Sequence, residues 1–345
     1  MPGMTPAIFG LAGLRLSNDE RDFFRDADPV GYILFQRNCQ DPEQMRALAD
    51  DLRSVHGREH LFLSIDQEGG RVARMKPPVW PRYPAGEVFD QLYQIAPLSA
   101  IEAVRANAEA MGHELARCGV TVNYHAPLDV RRPETDAVIG DRALGHDPMQ
   151  VAALGKAMID GFARAGVAGC LKHMPGHGRA TVDSHKDLPV VDASAEELEN
   201  DIAPFRQLAG TSIGMSAHIV YTAWDGNNPA TLSPTIIADI IRGRIGFDGL
   251  LLTDDIDMEA LSGTVPERAE QAIAAGCDVV LNCWAKLDDM QGIASRLPAL
   301  PPQGEERLAR CFALSSPQAT VPERAERAAA LLAKRDALLA AAGLA

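Results

Sequence analysis

Aromatic side chains make up only 5% of this 345-residue sequence, and no apolar run approaches the roughly 18 residues that a membrane span needs. Cations are scarce as well. Lys and Arg number 33 against 47 Asp and Glu, a formal net charge of −14 and a pI near 5.1. A field of that sign repels phosphate backbones and anionic lipid, so neither nucleic acid nor a membrane is an expected partner. The six cysteines (Cys39, Cys118, Cys170, Cys277, Cys283 and Cys311) form no CxxC pair and no zinc-ligand spacing, and read as buried thiols in a reducing compartment. The first residues, MPGMTPAIFGLAGLRLS, lack the basic stretch and cleavage site of a secretory leader. The expectation is a cytoplasmic protein, with a monomer as the default state.

What is present is a core and a rhythm. Hydrophobic residues make up 46% of the chain, ample for a large packed interior. Apolar, β-branched runs occur at Ala7–Leu14, from Val30, from Leu61, from Val120, from Ala168, from Ser212, from Gly249 and from Asp278. Between them lie stretches of helical period: Asp41–His56, Ser99–Arg117, Pro148–Arg164, Ser194–Leu208, Ser233–Arg242 and Pro266–Ala275. Continuously apolar strands are buried on both faces, as in a parallel sheet covered by helices. Eight such repeats predict an α/β fold of the (β/α)8 TIM-barrel type over residues 1–297. An open doubly wound sheet is the runner-up, but its first turn would need GxGxxG and the chain has GLAGLRLS. From Pro298 the composition turns Pro-rich and then Ala- and Arg-rich, so residues 298–345 read as a helical extension packed outside the barrel.

In this fold the chemistry sits where strands end at their C-terminal side. The polar residues fall there: Asp66, Glu68, Arg71 and Arg74; His125 and Asp129, then Asp141 and Arg142; Lys172, His173, His177, Asp183 and His185; His218; and Asp254, Asp255 and Asp257. Each has a bland alternative. Asp257 reads best as the N-cap of the next helix, His125 and His218 read equally as hydrogen-bonded core histidines, and Arg71 with Arg74 could be a solvated pair. Gly69 and Gly70 say only that the backbone bends or approaches something. His173 and His177 cannot share a helix face across Pro175 and Gly176, and no thiol or Glu completes a ligand set, so no metal is expected.

The segment KHMPGHGRATVDSH, Lys172 to His185, resembles the KHFPGHG…DSH signature of family 3 glycoside hydrolases, and among them the bacterial β-N-acetylglucosaminidases of peptidoglycan recycling. IDQEGGRVARM, IGDRALG, MSAHIVY and GLLLTDDIDM match in the same order, the last resembling SDDLSM. The resemblance spans about Ala7 to Asn282. It implies a (β/α)8 barrel, Asp254 as nucleophile, His185 as general acid/base with Asp183 as its partner, and Asp66, Arg74, Arg142, Lys172 and His173 as sugar-binding residues; no cofactor is implied. The residues by themselves do not choose Asp254 over Asp255. Met174 stands where Phe is usual and Arg179 where Asp is common, while Thr253 and Asp257 replace serines.

Retaining glycosidases usually hold two carboxyls about 5 Å apart, one attacking and one protonating the leaving oxygen. Here an imidazole, titrating near pH 6.5, would act as acid and then base. In an extended loop Asp183 and His185 would project to one side, and Gly176 with Gly178 would hinge that loop over bound sugar. The implied function is a retaining exo-β-N-acetylglucosaminidase releasing terminal GlcNAc from muropeptides through a glycosyl-aspartate. A phosphorylase and a β-glucosidase on the same barrel, and a non-catalytic sugar-binding barrel, are the alternatives.

Overall fold

The computed structural model describes residues 3–184, 186–313 and 320–344. Its strands and helices alternate along the chain: β1 (Thr5–Gly10), α1 (Asn18–Ala27), β2 (Pro29–Leu34), α2 (Pro42–His56), β3 (Phe62–Ile65), α3 (Gly86–Ile95), α4 (Pro97–Arg117), β4 (Val122–Asn123), α5 (Pro148–Ala165), β5 (Ala168–Gly169) and β6 (Leu171–Met174). The second half continues with β7 (Val190–Val191), α6 (Leu198–Gln207), β8 (Ile213–Ser216), β9 (Val220–Tyr221), a π-helical segment (Ile236–Arg244), β10 (Leu250–Asp255), α7 (Val265–Ala275), β11 (Val279–Asn282), α8 (Leu287–Arg296), α9 (Pro302–Phe312) and α10 (Val321–Ala341).

Nine strands pair in the order β5-β4-β3-β2-β1-β11-β10-β8-β6, all parallel. The two ends of that order, β5 and β6, are separated only by Cys170. One chain path therefore joins β4 on one side to β8 on the other, and the sheet curls into a nearly closed barrel of eight staves, the TIM type. Helices stand outside each stave.

Side-chain alternation gives the barrel two cores. From β1, Ala7 and Phe9 point outward into the layer shared with the helices, while Ile8 points into the barrel. The same division puts Leu63 and Ile65 against Phe62, Leu251 against Leu250 and Leu252, and Val280 against Val279 and Leu281. Period-two geometry requires this once both faces are covered, and it explains why the strands read as unbroken apolar runs. Several helices start on the sequence signals expected of them. Asp41 and Asp147 cap α2 and α5, each ahead of a Pro, and Gly57 and Gly166 close them in the left-handed region.

Two local expectations are corrected. The helix expected over Ser233–Arg242 is π-helical over Ile236–Arg244, with the amide of Ile245 bonding the carbonyl of Ile240 five residues back; apolar periodicity does not separate the two pitches over so short a segment. The run from Ser212 to Val220 is not one strand. It leaves the barrel after Ser216, and Val220–Tyr221 pairs instead with β7 in a separate two-stranded ribbon. Helices α1, α3 and α8, further members of the repeating pattern, are each ten residues long.

The N-terminal mouth is closed by α9, whose Leu308 and Cys311 join the interior cluster, while α10 lies along α4 with Arg335 donating to Asn107 Oδ1 at 2.9 Å. An ionic cluster ties this end together. Asp278 accepts from Arg242 (2.7 Å), from Arg307 (2.8 Å) and from the amide of Leu251 (2.8 Å). Removing one member of a buried ion cluster leaves its partners uncompensated. Asp278→Ala should therefore cost about 3–5 kcal/mol in urea denaturation; a loss below about 1 kcal/mol would mean the cluster behaves as a surface ion pair.

Candidate active site

Lys172 enters the barrel's C-terminal mouth from β6 with a side chain only 2% exposed. A buried ammonium must be paired. Its Nζ lies 3.0 Å from Asp66 Oδ1 and 2.7 Å from Glu68 Oε1, both carboxylates standing in the loop after β3. Glu68 is gripped from its other side by Arg142, whose Nε and Nη2 each donate at 2.8 Å in a two-pronged pair. Burial alone would raise the Glu68 carboxyl, but Arg142 and Lys172 outweigh it and hold it well below the usual range. Burial pulls Lys172 the other way, and Glu68 and Asp66 raise it above its ordinary value. Both partners therefore stay charged.

His173, the next residue, faces a second buried acid. Its Nδ1 is 2.8 Å from Asp129 Oδ2, and Asp129 Oδ1 accepts from the amides of His173 (3.1 Å) and His177 (2.7 Å). Burial would raise Asp129, but the neighbouring imidazoles and these donors bring it down to about 2. His173 Nε2 lies 3.5 Å from Arg142 Nη2. Because a carboxylate can only accept, Nδ1 carries the hydrogen toward Asp129.

Arg74 completes the wall. Its Nη2 is 3.5 Å from Asp66 Oδ2, and its guanidinium packs on the Phe35 ring at 4.8 Å, as does that of Arg37. Opposite, β10 ends in the acids. Asp254 Oδ1 accepts from the amide of Asp255 at 2.8 Å, and Asp255 Oδ1 from that of Asp257 at 3.1 Å. Burial, with the charge of Asp257 added, pushes Asp255 well above the carboxylate range.

Asp66, Arg74, Arg142, Lys172, His173 and Asp254 thus line one cavity of about 770 Å³. Asp183 does not line it. It is half-buried, with Oδ2 3.5 Å from Lys186 Nζ, and its carbonyl accepts from the amides of Lys186 and Asp187, a turn where an extended loop was expected. His185 lies outside the described residues. The two glycines sit at close approaches of the backbone. A Cβ on Gly178 would sit 2.0 Å from the Val130 carbonyl oxygen, and one on Gly176, at φ +139°, would press on Asp201. Their missing side chains permit close packing in this conformation, in which Arg179 fastens the segment by donating to Asp201 Oδ2 at 2.7 Å.

Asp257 is no helix cap. Its Oδ2 accepts from Asn282 Nδ2 (2.8 Å) and the amides of Cys283 (3.0 Å) and Trp284 (3.3 Å), clamping the loop after β11, while Thr264 caps α7. His218 is a hydrogen-bonded core histidine, between Thr231 Oγ1 (2.8 Å) and the Asp255 carbonyl (3.0 Å). His125 is buried and burial lowers it to about 4. Arg71 is partly exposed but not simply solvated, since Nε holds Asp141 at 3.0 Å. Sequence reading undervalued Glu68 and Asp129; the demand that buried Lys172 and His173 find carboxylates was the signal for both. Arg37 carried no signal, because its place beside Arg74 is set by the fold. Among the described residues no three His, Cys, Asp or Glu side chains are grouped to hold a metal ion.

The profile of the glycosyl hydrolase family 3 N terminal domain matches residues 8–309. The chain belongs to glycosyl hydrolase family 3. Among its family 3 relatives, a beta-hexosaminidase of Alkalilimnicola ehrlichii is 38% identical over 310 residues, covering 88% of each chain, and a beta-hexosaminidase of Chromobacterium violaceum is 37% identical over 88% of this chain and 86% of its own. Among solved structures, NagZ from Neisseria gonorrhoeae in complex with N-trifluoroacetyl-D-glucosamine superposes with a TM-score of 0.87 at 31% identity, over 99% of this chain and 98% of that one. For this family 3 barrel the buried acids make an acid-sensitivity prediction. A group depressed from 3.8 to about 2 adds stability that is full above about pH 4 and is lost as the pH falls through about 2. The melting temperature should therefore drop between pH 4 and 2, and Asp129→Asn, though less stable at pH 7, should show a shallower drop across that window. An unchanged slope in the variant would mean that Asp129 is not the group responsible.

Proposed function

We propose that this family 3 hydrolase is a retaining exo-β-N-acetylglucosaminidase that releases terminal non-reducing GlcNAc from peptidoglycan-derived muropeptides through a covalent glycosyl-aspartate. The coarser activity, that of a β-N-acetylhexosaminidase, rests on the family and on relatives of that activity. One observation carries the finer reading: Asp254 shares a cavity with a fixed array of two acids, three cations and an imidazole able to hold a pyranose by its hydroxyls.

In this proposal the sugar's hydroxyls donate to Asp66 and accept from Arg74, Lys172 and Arg142. His173, kept in one tautomer by Asp129, presents Nε2 to the same space. Ionised groups held by one another need no rearrangement when substrate arrives, and in a partly desolvated cavity they orient it strongly. Asp254 attacks the anomeric carbon as the glycosidic bond breaks, the leaving oxygen takes a proton from His185, and water deprotonated by His185 then releases the sugar. Asp183 is proposed to orient His185. The neighbouring acidic charge of the protein as a whole does not oppose this substrate, whose glycone is neutral. No helix among the described residues is long and apolar enough to cross a membrane, and the proposed substrate places the enzyme in the cytoplasm.

Asp254→Asn should lower kcat by at least about 10³-fold while the protein still folds, measured on an aryl β-N-acetylglucosaminide beside the matching β-glucoside. Near-normal turnover by the variant would overturn the nucleophile assignment. Preference of the unaltered enzyme for the glucoside would overturn the substrate, and GlcNAc-1-phosphate formed in phosphate buffer would make the enzyme a phosphorylase.

A further inference from the structure

The cavity has a deep end and an open end, and they differ in kind. Lys172, Glu68 and Arg142 at the deep end have side chains 2%, 3% and 10% exposed. At the open end stands Trp284, which lines the same cavity yet is 61% exposed. An indole left that open in a chain with three tryptophans calls for a partner. It is also held in place. Its amide donates to Asp257 Oδ2 at 3.3 Å, the preceding amide of Cys283 to the same oxygen at 3.0 Å, and Ala285 turns the chain at φ +55°. Lys286 places its ammonium over the ring, 5.2 Å from the centroid. With one face so occupied, the other face is the one that can take a partner.

An enzyme that removes a terminal sugar must seat that sugar at the closed end and leave the rest of the substrate toward solvent. The reaction proposed above therefore puts the leaving group at the open end, past Asp254. We infer that Trp284 is the leaving-group platform, stacking its free face on the C–H face of a second pyranose and so favouring glycosides whose leaving group is itself a sugar ring. The chemistry is that of an aromatic surface meeting the apolar face of a pyranose, which needs area and a fixed ring more than hydrogen bonds. The clamp by Asp257 fixes the backbone that carries the ring, and Lys286 covers one of its faces. This inference rests on the function proposed above, and its test separates the two.

The measurement compares kcat/KM on N,N′-diacetylchitobiose, whose leaving group is a pyranose, with kcat/KM on methyl β-N-acetylglucosaminide, whose leaving group is too small to reach the indole. Trp284→Ala should lower the first about tenfold and the second by less than about twofold, as expected for loss of one aromatic stacking contact. Trp284→Phe, which keeps an aromatic face, should restore most of the difference. An equal loss on both substrates would make Trp284 a support of the loop and overturn the platform; no loss on the disaccharide would overturn it too. If the unaltered enzyme cleaves neither N-acetylglucosaminide, the proposed function falls and takes the platform with it, an outcome distinct from any change in the ratio.

Discussion

An ammonium sealed into the mouth of a barrel cannot stand alone, and the rest of the site follows from satisfying Lys172. It draws Asp66 and Glu68 inward from the loop after β3. Glu68, now buried itself, needs more than one cation and obtains Arg142 from the segment between β4 and α5. Arg142 in turn approaches His173, which leans on Asp129. The loops after β3 and β4 are thereby fixed to β6 and to one another by charge. Such a network is weak evidence for stability, since desolvation offsets much of the attraction. Its effect is positional: the same groups that bind each other are held ready for a ligand that can exchange hydrogen bonds with them.

Stability comes from elsewhere and is arranged so as not to disturb the site. The alternating strand residues fill one core inside the barrel and another beneath the helices, and α9 seals the interior from the opposite mouth. The second ionic cluster, Asp278 with Arg242 and Arg307, sits at that sealed end. Conserving apolar volume at one end and polar positioning at the other is the usual division in this fold, where the N-terminal face holds the structure and the C-terminal face carries the chemistry.

Much of this was legible in sequence because it depends on local period. Apolar runs reported staves, Ser, Asp and Pro reported helix starts, and strand ends reported the polar cluster. What was not legible depends on approach between distant segments. Gly178 marks a bend in sequence, but only the fold reveals that the Val130 carbonyl lies against it. Asp257 looked like a cap because the helix after it is near in sequence, whereas its real partners on Asn282 to Trp284 are 25 to 27 residues away. The π-helical segment differs from an α-helix only in which carbonyl each amide selects, and residue type does not encode that choice over nine positions.

The three aspartates at the end of β10 show how environment separates identical side chains. Residue type alone left Asp254 and Asp255 equivalent. In the fold, Asp257 spends one oxygen on a side-chain amide and two backbone amides, which commits it to the loop after β11. Asp255 lies against Asp257, and burial together with that negative neighbour disfavours its anion. A nucleophile must be ionised when it attacks, and the surroundings of Asp255 work against that state. Asp254 precedes this pair, lines the cavity, and receives the amide of Asp255 on Oδ1. That backbone donor fixes the plane of the Asp254 carboxylate at the cavity wall. Asp254 and Asp255 both line the cavity, and their partners are what separate the three: Asp257 is bound into the loop after β11, Asp255 receives the amides of Asp257 and Cys283, and Asp254 receives that of Asp255, so the choice of Asp254 as nucleophile stays the proposal that the resemblance supplies.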